Sequence, residues 1–521
     1  MVLRNAVHKD LYADSVALMR VAARLAERPG VLTASLVMGT PANQEVLDRA
    51  GMLAGEGRSA GPNDLIVAVS CSDEEGDAVA EAALADALAG LTEDGGPESG
   101  GPESDGPEED LPLRSLAGAP ADADLALIST PGAYATAEAL KALRRGMHAF
   151  VFSDHVPVED ELMLKQEAAS RGLLVMGPDC GTSLIDGVPL GFANAVRRGG
   201  VGLAGASGTG LQQVSCLLHA MGAGVSHLIG TGSRDLSADV GGLSMLGALD
   251  ALAADPATDV VVLVSKPPAP EVAARVLERA AGTGKPVIAC FLGWDGSGTA
   301  PPEVTLAPTL HEAARCAATL ALGRPATAAA PPELPAPRAP RRWIRGLYAG
   351  GTFAYEAEWL LRPALGDIAR EASGQVPAEV PRLPDGHVVL DLGDDAYTAG
   401  RPHPMIDPGV RTAYLRAALD DPTTAAVILD VVLGHGAAED PAGEVARALT
   451  SHEGERPAVL TFVVGTDRDP QQLDLQERVL RDAGAVVVES GTIAAGVAAR
   501  SLARAAEPAA EPAGARMGGG L

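Results

Sequence analysis

An internal repeat in the second half of the chain constrains the fold more than any other sequence feature. The stretch GLAGASGT at 202–209 recurs, one residue shorter, as GLYAGGT at 346–352. Three landmarks repeated in one order predict two copies of one flavodoxin-like domain, over residues 199–322 and 343–505. The second copy is longer between its first two landmarks, which predicts an insertion near 377–384. The other two pairs of landmarks are Asp255-Pro with Asp421-Pro and Lys285-Pro with Arg456-Pro.

Short β-branched runs alternate with longer Ala/Leu/Glu/Arg stretches of helical periodicity along most of the chain. Strands that are apolar throughout are buried on both faces, so this alternation indicates parallel sheets covered by helices. The fold class is therefore α/β. The predicted strands are 65–70, 125–129, 148–153, 201–204, 260–264, 286–291, 425–429, 458–463 and 485–488.

Low-complexity segments divide the chain. Residues 91–112 hold repeated Gly-Gly-Pro-Glu-Ser units, which bury too little apolar surface to fold, so we predict an acidic disordered insertion. It follows a small N-terminal α/β region over 1–90. The Ala/Pro-rich stretch 323–342 is typical of an interdomain linker, and 506–521 of a disordered tail.

Charge and cysteine content exclude several classes of protein. Sixty-eight acidic against 40 basic side chains give a net charge of -28, which repels nucleic acid. No apolar run reaches the ~20 residues of a membrane span, and five cysteines without a CxxC pair give no disulfide framework or metal site. A cytoplasmic protein without nucleic-acid or membrane partners is expected. Walker, GxGxxG, GxSxG and HExxH motifs are also missing from the sequence.

Each copy contains a turn of small residues between a strand and a helix. Free N–H groups at a helix start, together with glycine, suit a phosphate or a carboxylate. Simple helix capping explains the same residues and stays open as an alternative. The candidate anion-binding residues are Ser207, Gly208 and Thr209 in the first copy and Gly350, Gly351 and Thr352 in the second.

A second pair of turns follows the next strand of each copy. Lys266 can hold an anionic oxygen as a point charge, and His435, flanked by Gly434 and Gly436, is a candidate nucleophile or acid/base. A loop histidine without a partner is the alternative for His435. The polar loops 230–235, with Arg234 and Asp235, and 391–395 are candidates to line the same cleft, or are ordinary surface loops.

The segment before the repeat carries a resemblance to a known family. Residues 121–130, 139–148 and the run GLLVMGPDCGT at 172–182 resemble the second half of the CoA-binding domain of succinyl-CoA synthetase α subunits. This implies a CoA-binding-like Rossmann domain over 113–198, with Asp179 and Cys180 at the substrate cleft. The second copy resembles the ligase domain of the β subunit. With this domain order, the chain is identified as a member of the FdrA family of acyl-CoA-synthetase-like proteins.

Two departures from the synthetase pattern bear on the reaction. Family enzymes carry phosphate on a loop histidine, whereas the loop here reads FLGWDGSG at 291–298. The position of the glutamate that orients that histidine holds Lys266. FdrA-like proteins are associated with carbamoyl transfer alongside other subunits, which implies a small-molecule substrate and partner subunits. The sequence does not identify a cofactor. CoA, phosphate and carbamoyl phosphate are the candidate ligands.

Three functions remain open from the sequence. The first is a transferase subunit that makes or uses a carbamoyl or acyl phosphate without a phosphohistidine. The second is a nucleoside-diphosphate-forming acyl-CoA ligase subunit of the succinate–CoA type. The third is a scaffold or regulatory subunit that has kept the fold and lost the chemistry.

Overall fold

The structure, a computed structural model, describes residues 2–9, 11, 15–26, 28–72, 76–94, 116–294, 300–327, 330–372, 381–398 and 401–506. The predicted tail beyond 506 and most of the predicted acidic insertion lie outside these residues. The start of that insertion was predicted wrongly, because helix Gly76–Asp94 includes its first four residues. The helical Ala/Leu pattern continues to Asp94, and the first Gly-Gly-Pro unit comes directly after it.

The N-terminal region folds around an antiparallel sheet of strand order β1-β3-β2. Leu65, Val67 and Val69 belong to one core cluster with the first and third helices, whereas Ile66 and Ala68 belong to a second one. The two clusters follow the alternation of side chains along a strand. The elements are β1 Val2–His8, α1 Ser15–Ala26, β2 Val31–Met38, α2 Pro41–Arg49, β3 Leu65–Cys71 and α3 Gly76–Asp94.

The next segment forms a parallel sheet of order β4-β5-β6, followed by a hairpin. That hairpin, β7–β8, pairs with a strand of the following sheet through Leu184 and Leu228, although 113–198 was predicted as one domain. The elements are β4 Leu125–Ile128, α4 Gly132–Arg144, β5 His148–Val151, α5 Val158–Ser170, β6 Val175–Met176, β7 Thr182–Ile185 and β8 Val188–Gly191.

The first copy of the repeat is a flavodoxin-like sheet. Its strands lie in the order β10-β9-β11-β12-β13, which is the 2-1-3-4-5 order of that fold. The elements are β9 Arg198–Gly205, α6 Gly208–Ala220, β10 Val225–Gly230, α7 Leu243–Ala254, β11 Val260–Ser265, α8 Pro270–Ala281, β12 Val287–Phe291, β13 Val304–Leu306 and α9 Leu310–Leu322.

The second copy repeats this order as β16-β14-β17-β18-β19, with β15 added at one edge, so the predicted fold class is confirmed. Its longer connection runs between α10 and β16, where the insertion was predicted; residues 373–380 of it lie outside the described part. The elements are β14 Trp343–Tyr348, α10 Gly351–Leu365, β15 Ile368–Ala369, β16 His387–Asp391, α11 Asp395–Thr398, α12 Gly409–Asp420, β17 Thr424–Val432, α13 Pro441–Ser451, β18 Ala458–Val464, α14 Leu473–Asp482, β19 Val486–Val488 and α15 Gly491–Ala506.

The two copies share one hydrophobic core. Leu211 and Val214 of α6 belong to the same buried cluster as Phe353 and Ala357 of α10. The described part of the linker packs on this unit, since Ser501 Oγ donates a 2.7 Å hydrogen bond to a linker carbonyl. In the described parts of the chain, no helix is long and apolar enough to cross a membrane.

Candidate functional site

The starts of helices α6 and α10 meet at the interface between the two copies. Ser207 caps α6 by accepting a 3.1 Å hydrogen bond from Gly210 N, and its Oγ lies 2.7 Å from Oγ1 of Thr352 in the first turn of α10. Both hydroxyl-bearing residues are buried. The structure therefore brings the two predicted anion-binding turns into direct contact.

The start of α10 already holds a carboxylate of the protein itself. Asp430 accepts hydrogen bonds from Ala349 N at 2.8 Å and from Gly350 N at 3.1 Å. Its side chain is fully buried, and Arg411 lies 3.8 Å away. Burial raises the pKa of Asp430, and the Arg411 guanidinium opposes that rise. The N–H groups ahead of α10 are thus partly occupied.

A second carboxylate, Asp391, stands on the other side of the same helix start. It ends β16, and a Cβ added to Gly351 would collide with its Oδ2 atom. Oδ1 accepts a 3.1 Å hydrogen bond from Gly393 N. Burial raises the pKa of Asp391 to about 6, while the charge of Lys266 opposes the rise. Lys266 is exposed and lies just beyond β11 of the first copy.

Strand register shows that the first copy has no carboxylate at the two positions that match Asp391 and Asp430. Tyr348 pairs with Asp391, and Gly205 at the matching position pairs with Gly230. On the other side, Gly205 pairs with Val264, which corresponds to Asp430. Helix α6 therefore starts between uncharged neighbours, and its dipole favours an incoming anion more than that of α10 does.

The glycine loop around His435 contacts the hairpin that precedes the first copy. His435 N donates a 2.9 Å hydrogen bond to the carbonyl of Ala193, and the imidazole is exposed. Gly434 N donates to Gln471 Oε1 at 3.0 Å, and a Cβ at Gly436 would collide with the Phe192 ring.

That hairpin also reaches the start of α6. Thr182 Oγ1 donates a 2.7 Å hydrogen bond to the carbonyl of Phe192. The same Oγ1 lies 3.2 Å from the position that a Cβ on Gly208 would take. The loop of His435 and the start of α6 are therefore linked through one packed segment.

The two residues expected at the cleft from the GPDCG run point in different directions. Asp179 has φ 54° and accepts a hydrogen bond from Ser233 Oγ. Its pKa is raised, mainly by desolvation and also by the charges of Asp154 and Asp395. Cys180 is buried, and burial raises its pKa to about 11. Its thiol stays protonated near neutral pH, which does not suit a nucleophile.

Arg234 and Asp235 belong to an internal ion network. Nζ of the buried Lys165 lies 2.8 Å from both Glu161 Oε1 and Asp235 Oδ1. Arg234 lies 2.9 Å from the other oxygen of Glu161. Asp235 also accepts hydrogen bonds from Ser244 N and Met245 N at the start of α7. A ligand at Asp235 would have to displace these partners.

His155 was not predicted from the sequence. Its Nδ1 lies 3.0 Å from Asp154 Oδ1, and its Nε2 lies 3.6 Å from Asp395 Oδ2 in the second copy. The hydrogen bond and charge of Asp154 raise the pKa of His155, and Asp395 adds to this effect. The sequence feature that could have identified His155 is its position just after the apolar strand β5, because open α/β sheets bind ligands at the carboxyl ends of their strands.

The loop that carries phosphohistidine in synthetases is only partly described here. Trp294 packs edge-on against Phe291, with ring centroids 5.8 Å apart. Together with Trp359 they line a cavity of about 160 Å³. Residues 295–299 of the loop, including Asp295, lie outside the described residues.

Comparisons with known proteins concern the domains of the chain. Models of three families match the chain: "CoA-ligase" over 347–500, "CoA binding domain" over 197–293, and "AllF, heavy metal-associated domain" over 1–105. The CoA-binding match falls on the first copy, whereas the resemblance placed the CoA-binding-like domain at 113–198.

The fold and these matches define a CoA-ligase-like protein related to succinyl-CoA synthetase. YahF of Escherichia coli K12, an uncharacterized protein, is 37% identical over 514 residues, which cover 94% of this chain and 97% of YahF. The chain belongs to the FdrA family of acyl-CoA-synthetase-like proteins, together with YahF.

More distant relatives match part of the chain. The succinate–CoA ligase α subunit of Methanothermobacter thermautotrophicus is 28% identical over 188 residues, or 35% of this chain and 60% of that subunit. This is less than two thirds of that relative. PH0766 from Pyrococcus horikoshii and acetyl-coenzyme A synthetase 1 of Ca. Korarchaeum cryptofilum each align with 75% of this chain and 86% of their own at 17% identity, with TM-scores of 0.34 and 0.33.

The residues of the N-terminal region do not fit a heavy metal. Cys71 is the one cysteine that the sequence contains within 1–105, so a pair of thiolates cannot form there. It is buried in β3, and desolvation raises the pKa of its thiol. Among the described residues, no three His, Cys, Asp or Glu side chains form a group that could hold a metal ion.

Proposed function

We propose that this chain is the subunit of a group-transfer enzyme that binds an acyl or carbamoyl phosphate at the start of α6. The observation that carries the proposal is the contrast between the two helix starts. Asp391 and Asp430 flank the start of α10, while Gly230 and Val264 flank that of α6. A phosphate at α6 meets the N–H groups of Gly208 and Thr209, which donate no hydrogen bond within the described residues, without a neighbouring carboxylate of the same sheet.

Lys266 supports this assignment because it follows β11, the strand beside β9, and lies near the same interface. An exposed ammonium there favours a phosphate or a developing oxyanion. The loop 291–298 contains no histidine in the sequence, so the transferred group passes without a phosphohistidine on that loop. Substrate positioning and charge stabilisation supply the catalysis.

A nucleoside-diphosphate-forming acyl-CoA ligase is the second candidate. It is favoured by the matches to CoA-binding and CoA-ligase models over the two copies. In that case the start of α6 holds a phosphate of CoA, and partner subunits supply the nucleotide site. Both candidates make a CoA-related or phosphorylated small molecule the substrate.

Thermal shift measurements separate these functions, because a ligand that binds the folded state raises its melting temperature. The panel contains inorganic phosphate, carbamoyl phosphate, acetyl phosphate, CoA and ADP. Protection by carbamoyl or acetyl phosphate supports the transferase, and protection by CoA with ADP supports the ligase. Protection by none of the five overturns both and supports a scaffold.

Two variants locate the site. Gly208→Val fills the space against Thr182, and Lys266→Met removes an exposed charge without changing a packed core. Each should weaken the affinity for phosphate about tenfold or more, so the rise in melting temperature at a fixed phosphate concentration becomes smaller or disappears. Gly282→Val, at the end of α8 where a Cβ has ordinary contacts, and Lys141→Met, on the exposed surface of α4, are the controls. Unchanged protection in folded Gly208→Val and Lys266→Met proteins rejects the start of α6.

A further inference from the structure

The two carboxylates beside α10 differ in how their oxygens are used. Both oxygens of Asp430 accept backbone hydrogen bonds, and the residue is fully buried. Asp391 uses Oδ1 for Gly393 N, whereas its Oδ2 accepts no hydrogen bond within the described residues and lies over Gly351. Asp430 is therefore a fixed structural group, and Asp391 has an oxygen free for chemistry.

Asp391 also lies where the two copies meet. It ends β16 beside the start of α10, which touches the start of α6 through Ser207 and Thr352. The charge of Lys266, in the first copy, lowers the pKa of Asp391 against the effect of burial. A carboxylate of the second copy thus stands beside the start of α10, and the start of α10 contacts the helix start assigned to the anion.

We propose that Asp391 is the proton-transfer group of this site and acts, together with the charge of Lys266, on the anion bound at the start of α6. The inference rests on the proposed function. In this arrangement the first copy binds the phosphate, and the second copy supplies the acid/base group.

The proton transfer follows from the chemistry of an acyl or carbamoyl phosphate. An N–H, S–H or O–H group of the acceptor attacks the carbonyl carbon, and Asp391 Oδ2 takes the proton that this group loses. The new bond to carbon forms, the bond from carbon to the bridging oxygen breaks, and phosphate leaves with the electron pair. The proton on Asp391 then passes to the released phosphate. Phosphorolysis runs through the same steps in reverse.

The environment of Asp391 supports this role. Burial raises its pKa to about 6, Lys266 opposes the rise, and Asp394 and Asp430 add to it. Two other titratable groups stand nearby: His403 Nε2 adjoins Gly393, and the pKa of Tyr397 is raised partly by the charge of Asp391. A carboxyl that titrates just below neutral pH can both accept and return a proton.

The first test uses sulfate, whose charge is constant between pH 5 and 8, as the anion. Calorimetry on the full chain compares a His155→Gln parent with the His155→Gln/Asp391→Asn double variant, because His155 contacts Asp395 beyond the end of β16 and its pKa is raised. The parent should bind sulfate about fivefold more weakly at pH 7.5 than at pH 5, since a carboxylate appears beside the anion. Asp391→Asn should show no such change. Asp385→Asn, two residues before the start of β16, is the control. An unchanged pH dependence in Asp391→Asn overturns the proposal.

The second test does not require an anion. Because the pKa is raised in the folded state, the protein loses stability as pH rises through about 6, and asparagine cannot ionise. Asp391→Asn should therefore raise the melting temperature relative to wild type by more at pH 7.5 than at pH 4.5. An equal difference at both values overturns the proposal. Absence of sulfate binding in wild type at every pH, with the pH-dependent difference intact, rejects the anion site of the proposed function instead.

Discussion

Glu356 of α10 accepts a 2.8 Å hydrogen bond from the backbone N–H of Leu310, the first residue of α9 in the other copy. Thr492 Oγ1, at the start of α15, donates to the same carboxylate oxygen at 3.1 Å. Glu356 is almost fully buried, and burial raises its pKa to about 7. One acid therefore joins the starts of two helices and titrates near neutral pH.

Replacing Glu356 by Gln should remove a pH dependence of stability. The pKa is raised from 4.5 to about 7 in the folded state, so the contribution is full below pH 4.5 and is lost as pH rises through 7. By the 1.36 kcal/mol that one pKa unit represents, wild type should lose up to about 3 kcal/mol between pH 4.5 and 8.5. In urea denaturation at pH 5 and 8.5, the free energy of unfolding of Glu356→Gln relative to wild type should be higher at pH 8.5 than at pH 5.

Glu358, two residues along the same helix, is the matched control. Burial alone would raise the pKa of Glu358, but hydrogen bonds from Arg370 and Arg362 outweigh this effect and lower it. Glu358→Gln should thus lose stability relative to wild type at pH 7 and approach it at low pH. A parallel response of the two variants would contradict the assignment of the titration to Glu356.

The hydroxyl pair between the copies predicts a coupling energy. Ser207→Ala removes both the cap of α6 and the bond to Thr352, so it should cost about 1–2 kcal/mol of the free energy of unfolding. Thr352→Val should cost about 1 kcal/mol. In a double-mutant cycle measured by urea denaturation, the double variant should lose about 1 kcal/mol less than the sum of the two single losses. Strict additivity would show that the hydroxyls do not interact.

Lys165→Met should be among the most destabilising single substitutions. It leaves the buried carboxylates of Glu161 and Asp235 without their shared cation, which typically costs about 3–5 kcal/mol. Arg171→Met, which breaks an exposed pair with Glu167 at the end of the same helix, should cost less than about 1 kcal/mol. Similar melting temperatures for the two variants would mean that the buried network contributes little.

We expect no phosphoenzyme on this chain. The loop 291–298 lacks a histidine, and His435 is exposed on the glycine loop of the second copy. Incubation with labelled ATP, or with succinyl-CoA and labelled phosphate, should leave no acid-labile, base-stable label on the protein. Label that appears in wild type and vanishes in His435→Ala would assign a phosphohistidine to the second copy.

The sequence predicted the sheets well because buried parallel strands leave clear apolar runs. All nine predicted strands occur in the structure, and the repeated landmarks correctly predicted two flavodoxin-like copies. The strand predicted at 425–429 was too short, since β17 continues to Val432. Asp430 therefore lies inside a strand, where a charged residue is not expected from the pattern.

The site was harder to predict because its partners are distant in the chain. Nothing near Asp235 in sequence shows that it turns inward toward Lys165, and nothing near Asp391 shows that Lys266 lies across the interface. The difference in charge around the two helix starts depends on which strand residues pair beside them, and these pairings are not encoded locally in the sequence. The turns themselves, which depend on local residues, were located correctly.

The core that α6 and α10 share has a consequence for assembly. Two separate polypeptides with this interface would associate in proportion to their concentrations, and dilution would separate them. Here the segment 323–342 holds both halves on one chain, so the effective concentration of each for the other is fixed and high. The pairing of Ser207 with Thr352 is therefore independent of how much protein the cell makes.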